Sequence, residues 1–274
     1  MSPVKGPEFF VPMFRAGRGR GPGDERKPIV EDFQEYQSLF SQAGGAKVVG
    51  EGSVSYLYHY DEAIPLIRQY LGDPRILITL RDPVDHAFSC YLHLKRQGRE
   101  TLSFEDGLAA EPERMEKEWH YHWHYFNSGL FADQVAAYQK NFSRVQVCLL
   151  EDLQHDPQSF VRALFHFLAV DENFVPDLST RFNVGGLPRS KLLYRLVVGG
   201  NRSRPRGLQW AGHLLGEERL LRWREAMRTR MLTRESLRAD SRAKLVQAYR
   251  PDVLRLQGLL GRDLSDWLRE EPQP

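Results

Sequence analysis

Apolar residues fall into short runs separated by polar breaks, and the most informative stretch is residues 75–92, RILITLRDPVDHAFSCYL. Ile76, Leu77, Ile78 and Leu80 form a continuous apolar run, the pattern of a strand buried on both faces of a parallel sheet. Asp82 is placed to cap the next helix and Pro83 suits its first turn, while Ala87, Phe88, Tyr91 and Leu92 recur on one helical face. The same alternation predicts a short helix over Phe33–Phe40, a strand over Lys47–Gly50 and a helix over Glu62–Leu71. It then predicts a helix from Leu130, a strand from Val145 and a helix over Gln158–Leu168. Strands and helices in alternation predict a parallel sheet covered on both faces. Beyond Pro176 the pattern becomes helical, interrupted by the polar, Gly-containing segments Asn183–Lys191 and Gly199–Gly207. No internal repeat or linker divides the chain, so residues 1–274 are expected to form one α/β domain, with 187–274 a mainly helical extension.

In such a sheet the strand delivers Arg81 to the carboxyl edge, where open α/β folds bind ligands. The Ser89 hydroxyl lies about 12 Å along a helical path from it. A planar cationic fork and a neutral donor at that separation suit a phosphate. An ordinary strand-to-helix junction has the same outline.

R-D-P, five residues and then S, after an apolar strand, resembles the 3′-phosphate site for 3′-phosphoadenosine-5′-phosphosulfate (PAPS) in sulfotransferases. Further segments in the family's order extend the resemblance over nearly the whole chain. VQVCLLEDL followed by Asp156-Pro157 is similar to its strand, E-D-L and D-P-helix stretch. SGLFADQ resembles its G-x-Y-x-x-Q helix start with Phe131 in place of Tyr, KGPEFF resembles K-E-P-x-F-F, and GLLGRDLSDWL resembles the end of bacterial members. The resemblance implies a three-layer, P-loop-NTPase-like parallel sheet and transfer of a sulfuryl group from PAPS to a hydroxyl or amine.

In that family an acceptor attacks sulfur in line, which calls for positioning, stabilisation of the leaving oxygen and a base. Arg81 and Ser89 would hold the 3′-phosphate, and Arg189 and Lys191, in the segment where the family closes a loop over the cofactor, are further phosphate ligands. Lys5 matches the Lys of K-E-P-x-F-F, but Gly6 stands where sugar-modifying members carry the Glu thought to be the base. Glu8, two residues on, and Glu51, in GEGSVSYL resembling G-E-x-S/T-P-x-Y-L, are the substitute carboxylates. The bland reading of Glu51 is a carboxylate bonded to loop backbone.

The family opens with a strand and a P-loop-like turn of the type K/R-S-G-T-T, which the chain lacks. Met1 therefore reads as an internal methionine and the chain as truncated at its N-terminus. A central strand with about five buried side chains is worth roughly 7–15 kcal/mol. That is as large as a whole domain's net stability of about 5–15 kcal/mol. The chain as written is accordingly expected to be aggregation-prone or inactive, and a non-catalytic adenosine-bisphosphate-binding remnant is the alternative.

Composition changes this picture little. The apolar content of 41% suffices for a core, and the net charge of +2 is uninformative. Leu187–Arg250 holds sixteen Lys or Arg against five Asp or Glu, which suits an anionic ligand or a solvated helical surface. An RNA- or anion-binding protein using this basic third and the Gly17–Pro28 loop is a rival from another class, but no RNA-binding signature accompanies it, and no nucleic-acid partner is expected. The glycines of that loop, expected to be mobile, follow no strand and open no helix, which argues against a nucleotide turn. Cys90 and Cys148 imply no disulfide framework, and with no signal sequence or apolar run of about twenty residues the expected location is a reducing cytoplasm. Trp119–Phe126, WHYHWHYF, would place His120 and His124 on one face of a helix at the spacing of two zinc ligands. Without HExxH or a nearby cysteine no metal is expected there, and an acceptor-binding wall or plain packing remains. The acceptor is expected to be a small molecule or carbohydrate.

Overall fold

The computed structural model describes residues 2–24, 30–178, 186–188, 232–233 and 235–271. The described elements are α1 (Pro12–Arg15), α2 (Phe33–Ser38), α3 (Ser55–Tyr58), α4 (Tyr60–Leu71), β1 (Ile76–Leu80), α5 (Pro83–Arg96), α6 (Phe104–Ala109) and α7 (Glu111–Glu116). They continue with α8 (Phe131–Asn141), β2 (Val145–Leu149), α9 (Leu150–His155), α10 (Pro157–Leu168), β3 (Leu187–Pro188), β4 (Leu232–Thr233) and α11 (Ala239–Leu260). The chain divides into two compact units. The first comprises Met1–Tyr91, Leu102–Val175 and Arg238–Pro274; the second comprises Leu92–Thr101 and Pro176–Leu237, in which β3 and β4 pair antiparallel.

In the first unit β1 and β2 run parallel in register, Ile76 opposite Val145 through Leu80 opposite Leu149, so both carboxyl ends reach the same edge. Helix α8 connects into β2 and packs on β1, and α11 packs on α8. Ile78 and Leu80 are buried, whereas Leu77 is 42% exposed. The continuous apolar run is therefore buried on one face, not two, because only alternate side chains share a face of a pleated strand.

The Asp82-Pro83 break behaves as read. Asp82 Oδ1 accepts from the backbone N–H of Val84 at 2.7 Å and of Asp85 at 3.2 Å, which satisfies orphan donors of α5. Val84 and Ala87 are fully buried on the inward face. Helix α10 opens the same way, with Asp156 accepting from Ser159 N–H at 3.1 Å.

One expectation fails, and one conditional reading is decided. Residues 47–50 form no strand: the backbone bond recorded for this segment runs from Ser2 N–H to Gly50 O at 2.8 Å, and a strand requires a ladder partner. Residues 119–126 are not a helix bearing His120 and His124 on one face. Tyr121–Trp123 is a single 3₁₀ turn, and Tyr121, Trp123, His124 and Tyr125 are all buried. Aromatic bulk wins here, since burying these rings outweighs a regular helix. In the glycine-rich loop, Asp24 Oδ2 accepts from Gly21 N–H at 2.6 Å and from the Trp123 indole at 3.3 Å, which ties residues 21–24 to this core.

Candidate functional site

The carboxyl edge of β1 and β2 is knitted together by the E-D-L stretch. Glu151 Oε1 accepts from Asp82 N–H at 3.1 Å and from the Trp267 indole at 3.2 Å. Asp152 receives a two-point hydrogen bond from the Arg262 guanidinium. Arg242, at the start of α11, reaches Asp82 Oδ2 at 3.5 Å and also pairs with Asp85. Burial first, then the neighbouring Asp85 charge, pushes the Asp82 carboxyl up to about 6 against the opposing pull of Arg242. The C-terminal helix and the GRDLSDW turn thus hold the strand-to-helix corner on which Arg81 sits.

Arg81 is half-buried and lines a cavity of about 150 Å³ whose other polar walls are Tyr58, Thr79, His86, Tyr121, Ser128 and Gln134. That is room for a phosphate-sized group, smaller than the roughly 300–1,000 Å³ that encloses a whole ligand. Neither a carboxylate nor a carbonyl pairs with Arg81 among the described residues. Ser89 is half-buried two turns into α5, likewise without a hydrogen-bond partner among the described residues, and lies outside the lining of this cavity. Arg189 and Lys191 lie outside the described residues.

The KGPEFF segment is anchored by Phe9 and Phe10, each 1% exposed, in an aromatic cluster with Tyr36, Tyr56 and Tyr70. Ser53 then joins the Glu51 carboxylate to the Glu8 backbone: its hydroxyl donates to Glu51 Oε2 at 2.8 Å and accepts from Glu8 N–H at 3.1 Å. Burial raises the Glu51 carboxyl above its ordinary range; hydrogen bonds from Tyr56 and Ser53 oppose the rise and the Glu8 charge adds to it. Glu51 Oε1 is buried with no hydrogen-bond partner. Gly6 has φ +66°, where a side chain is strained, so a glutamate is disfavoured at this position. Lys5 is exposed in the adjoining turn. Neither Lys5, Glu8 nor Glu51 lines the Arg81 cavity.

Sequence reasoning missed His86 and its partner Ser128. The His86 Nε2 lies 3.1 Å from Ser128 Oγ and 3.6 Å from Cys90 Sγ. Burial and then the Arg81 charge lower its imidazole to about 4. The signal was present, since His86 precedes Ser89 by three residues and so shares its side of α5. Among the described residues no cluster of three or more His, Cys, Asp or Glu side chains is arranged to hold a metal. None of the described helices is long and apolar enough to cross a membrane.

A sequence profile described as "Sulfotransferase family" matches residues 27–173. The crystal structure of a sulfotransferase from Alicyclobacillus acidocaldarius superposes with a TM-score of 0.74 at 34% identity, covering 98% of this chain and 87% of that one. No curated protein matches the chain. The profile spans more than half of the residues, and the solved relative is 34% identical over 98% of this chain, so the chain belongs to the sulfotransferase family.

Proposed function

We propose that this chain transfers a sulfuryl group from PAPS to a hydroxyl or amine of a small-molecule or carbohydrate acceptor. The observation that carries the reading is Arg81: a guanidinium at the carboxyl end of a parallel strand, on a cavity wall, with no partner among the described residues. A buried or half-buried arginine normally pairs, so an unpaired one at a sheet edge is poised for an external anion. In this reading Arg81 and the Ser89 hydroxyl hold the 3′-phosphate, with Arg189 and Lys191 as further phosphate ligands.

The acceptor oxygen or nitrogen forms a bond to sulfur as the bond to the 5′-phosphate oxygen breaks. The acceptor proton passes to a carboxylate, Glu51 or Glu8, and adenosine 3′,5′-bisphosphate leaves with its charge met by Lys5. A base with a raised carboxyl is better matched to neutral pH than an ordinary one, and burial of Glu51 supports that assignment.

Calorimetric titration with adenosine 3′,5′-bisphosphate, followed by transfer of labelled sulfuryl from PAPS to an acceptor panel, tests the proposal. The wild-type protein is expected to bind and Arg81→Ala to lose binding. Equal binding by both proteins would remove Arg81 from the site, and no binding by the folded wild-type protein would overturn the reading.

A further inference from the structure

We infer that His86 is a second anion-holding side chain of the Arg81 cavity, gripping a phosphate monoester dianion with Arg81 and taking up a proton as the ligand arrives. The inference rests on the nucleotide reading above and adds to it a residue, a proton and a preference for charge.

Geometry supplies the first part. His86 and Arg81 line the same cavity from α5 and from the end of β1, and the Phe131 ring meets the imidazole edge-on at 5.6 Å. His86 Nε2 lies 3.1 Å from Ser128 Oγ and 3.6 Å from Cys90 Sγ, and Ser128 Oγ lies 3.4 Å from Tyr125 O; in the inferred site the Ser128 hydroxyl donates to that carbonyl and His86 is the Nε2–H tautomer. That arrangement leaves the lone pair on Nδ1, for which no partner exists among the described residues. A neutral imidazole with a free nitrogen beside a free guanidinium is half of an anion site.

Electrostatics supplies the second part. In the empty cavity, burial and the Arg81 charge keep the imidazole neutral. The other groups around it add little charge. Asp82, which caps α5, and Asp85 in its first turn are paired with Arg242 of α11. Glu111 of α7 is taken by the amides of Phe126 and Asn127, both at 2.8 Å. Burial pushes the Cys90 thiol and the Tyr58 hydroxyl each up to about 12, and Tyr121 well above its ordinary value, so all three stay neutral. A dianion seated on Arg81 reverses the sign of the local field, and Nδ1 then takes a proton from solvent and donates it as a hydrogen bond to a phosphate oxygen. A singly charged sulfate ester or carboxylate reverses the field less, so the site prefers a phosphate monoester.

The test is calorimetric titration with adenosine 3′,5′-bisphosphate at pH about 7.5, in buffers of different ionisation enthalpy, where the ligand's phosphates, with second pKa near 6, are already mostly dianionic. The wild-type protein is expected to take up more than half a proton per ligand, with affinity falling severalfold from pH about 7 to about 8. His86→Asn is expected to bind about tenfold more weakly, as for the loss of one charge-assisted hydrogen bond, with no proton uptake and a flat pH dependence. If that variant does not fold, His86→Gln replaces it. Wild-type binding without proton uptake, or equal uptake by the variant, overturns the His86 proposal and leaves the nucleotide reading standing. Failure of the wild-type protein to bind at all overturns both.

Discussion

Removing the Arg242 guanidinium is expected to destabilise the fold in a manner that grows with pH. Arg242 and Asp82 have side chains that are each 6% exposed, and Arg242 is the cation facing the Asp82 carboxylate. In the wild-type protein that carboxyl already stands at about 6 against an ordinary 3.8, so its ionisation in the folded state costs about 3 kcal/mol. A carboxyl raised in this way contributes most stability below its unfolded value, and the contribution is lost as pH rises through the folded value. Arg242→Met deletes the attraction that holds the folded value down, so the loss extends to higher pH. At pH about 8 the variant keeps an uncompensated buried charge and is expected to lose about 3–5 kcal/mol. At pH about 5 Asp82 is protonated and neutral, and the loss shrinks to about 1–2 kcal/mol for missing hydrogen bonds. Urea unfolding followed by circular dichroism at the two pH values measures the difference, and Asp82→Asn in the Arg242→Met background should recover much of the loss at the higher pH. Equal destabilisation at both would show that Asp82 does not carry the buried charge, and the reasoning would fail.

Glu51→Gln removes the base of the proposed transfer and is expected to lower turnover by about 10²- to 10⁴-fold. It also removes a buried charge, so its melting temperature should not fall; a drop in both would mark Glu51 as structural. Glu151→Ala strands two donors, the Asp82 amide and the Trp267 indole, and should cost about 2–5 kcal/mol in a thermal melt, with faster hydrogen exchange at the Asp82 amide. A pair of glycine substitutions should move oppositely. A Cβ on Gly129 would sit 2.7 Å from the Tyr249 hydroxyl, so Gly129→Ala should destabilise by about 1–3 kcal/mol. Gly258 in α11 faces open space, so Gly258→Ala should stabilise by about 0.5–1 kcal/mol.

What could be read along the chain was local. The Asp82-Pro83 corner, the Asp156 cap and the two parallel strands follow from propensity and spacing over a few residues, and the ordered motifs carried the family. The strand expected at Lys47–Gly50 went wrong because pairing partners and core geometry, not local pattern, decide short apolar segments.

The sequence alone determined the β1–α5 and β2–α9–α10 successions, the placement of Arg81 at a sheet edge and the presence of two carboxylates near the KGPEFF turn. Tertiary structure decided which of these groups meet. Ser53 accepts from the Glu8 amide across 45 residues, Ser128 holds His86 across 42, and Arg242 reaches Asp82 across 160. Such contacts depend on how helices pack around the sheet. No local pattern encodes them, because each is selected by the burial and charge of a neighbour far away in the chain.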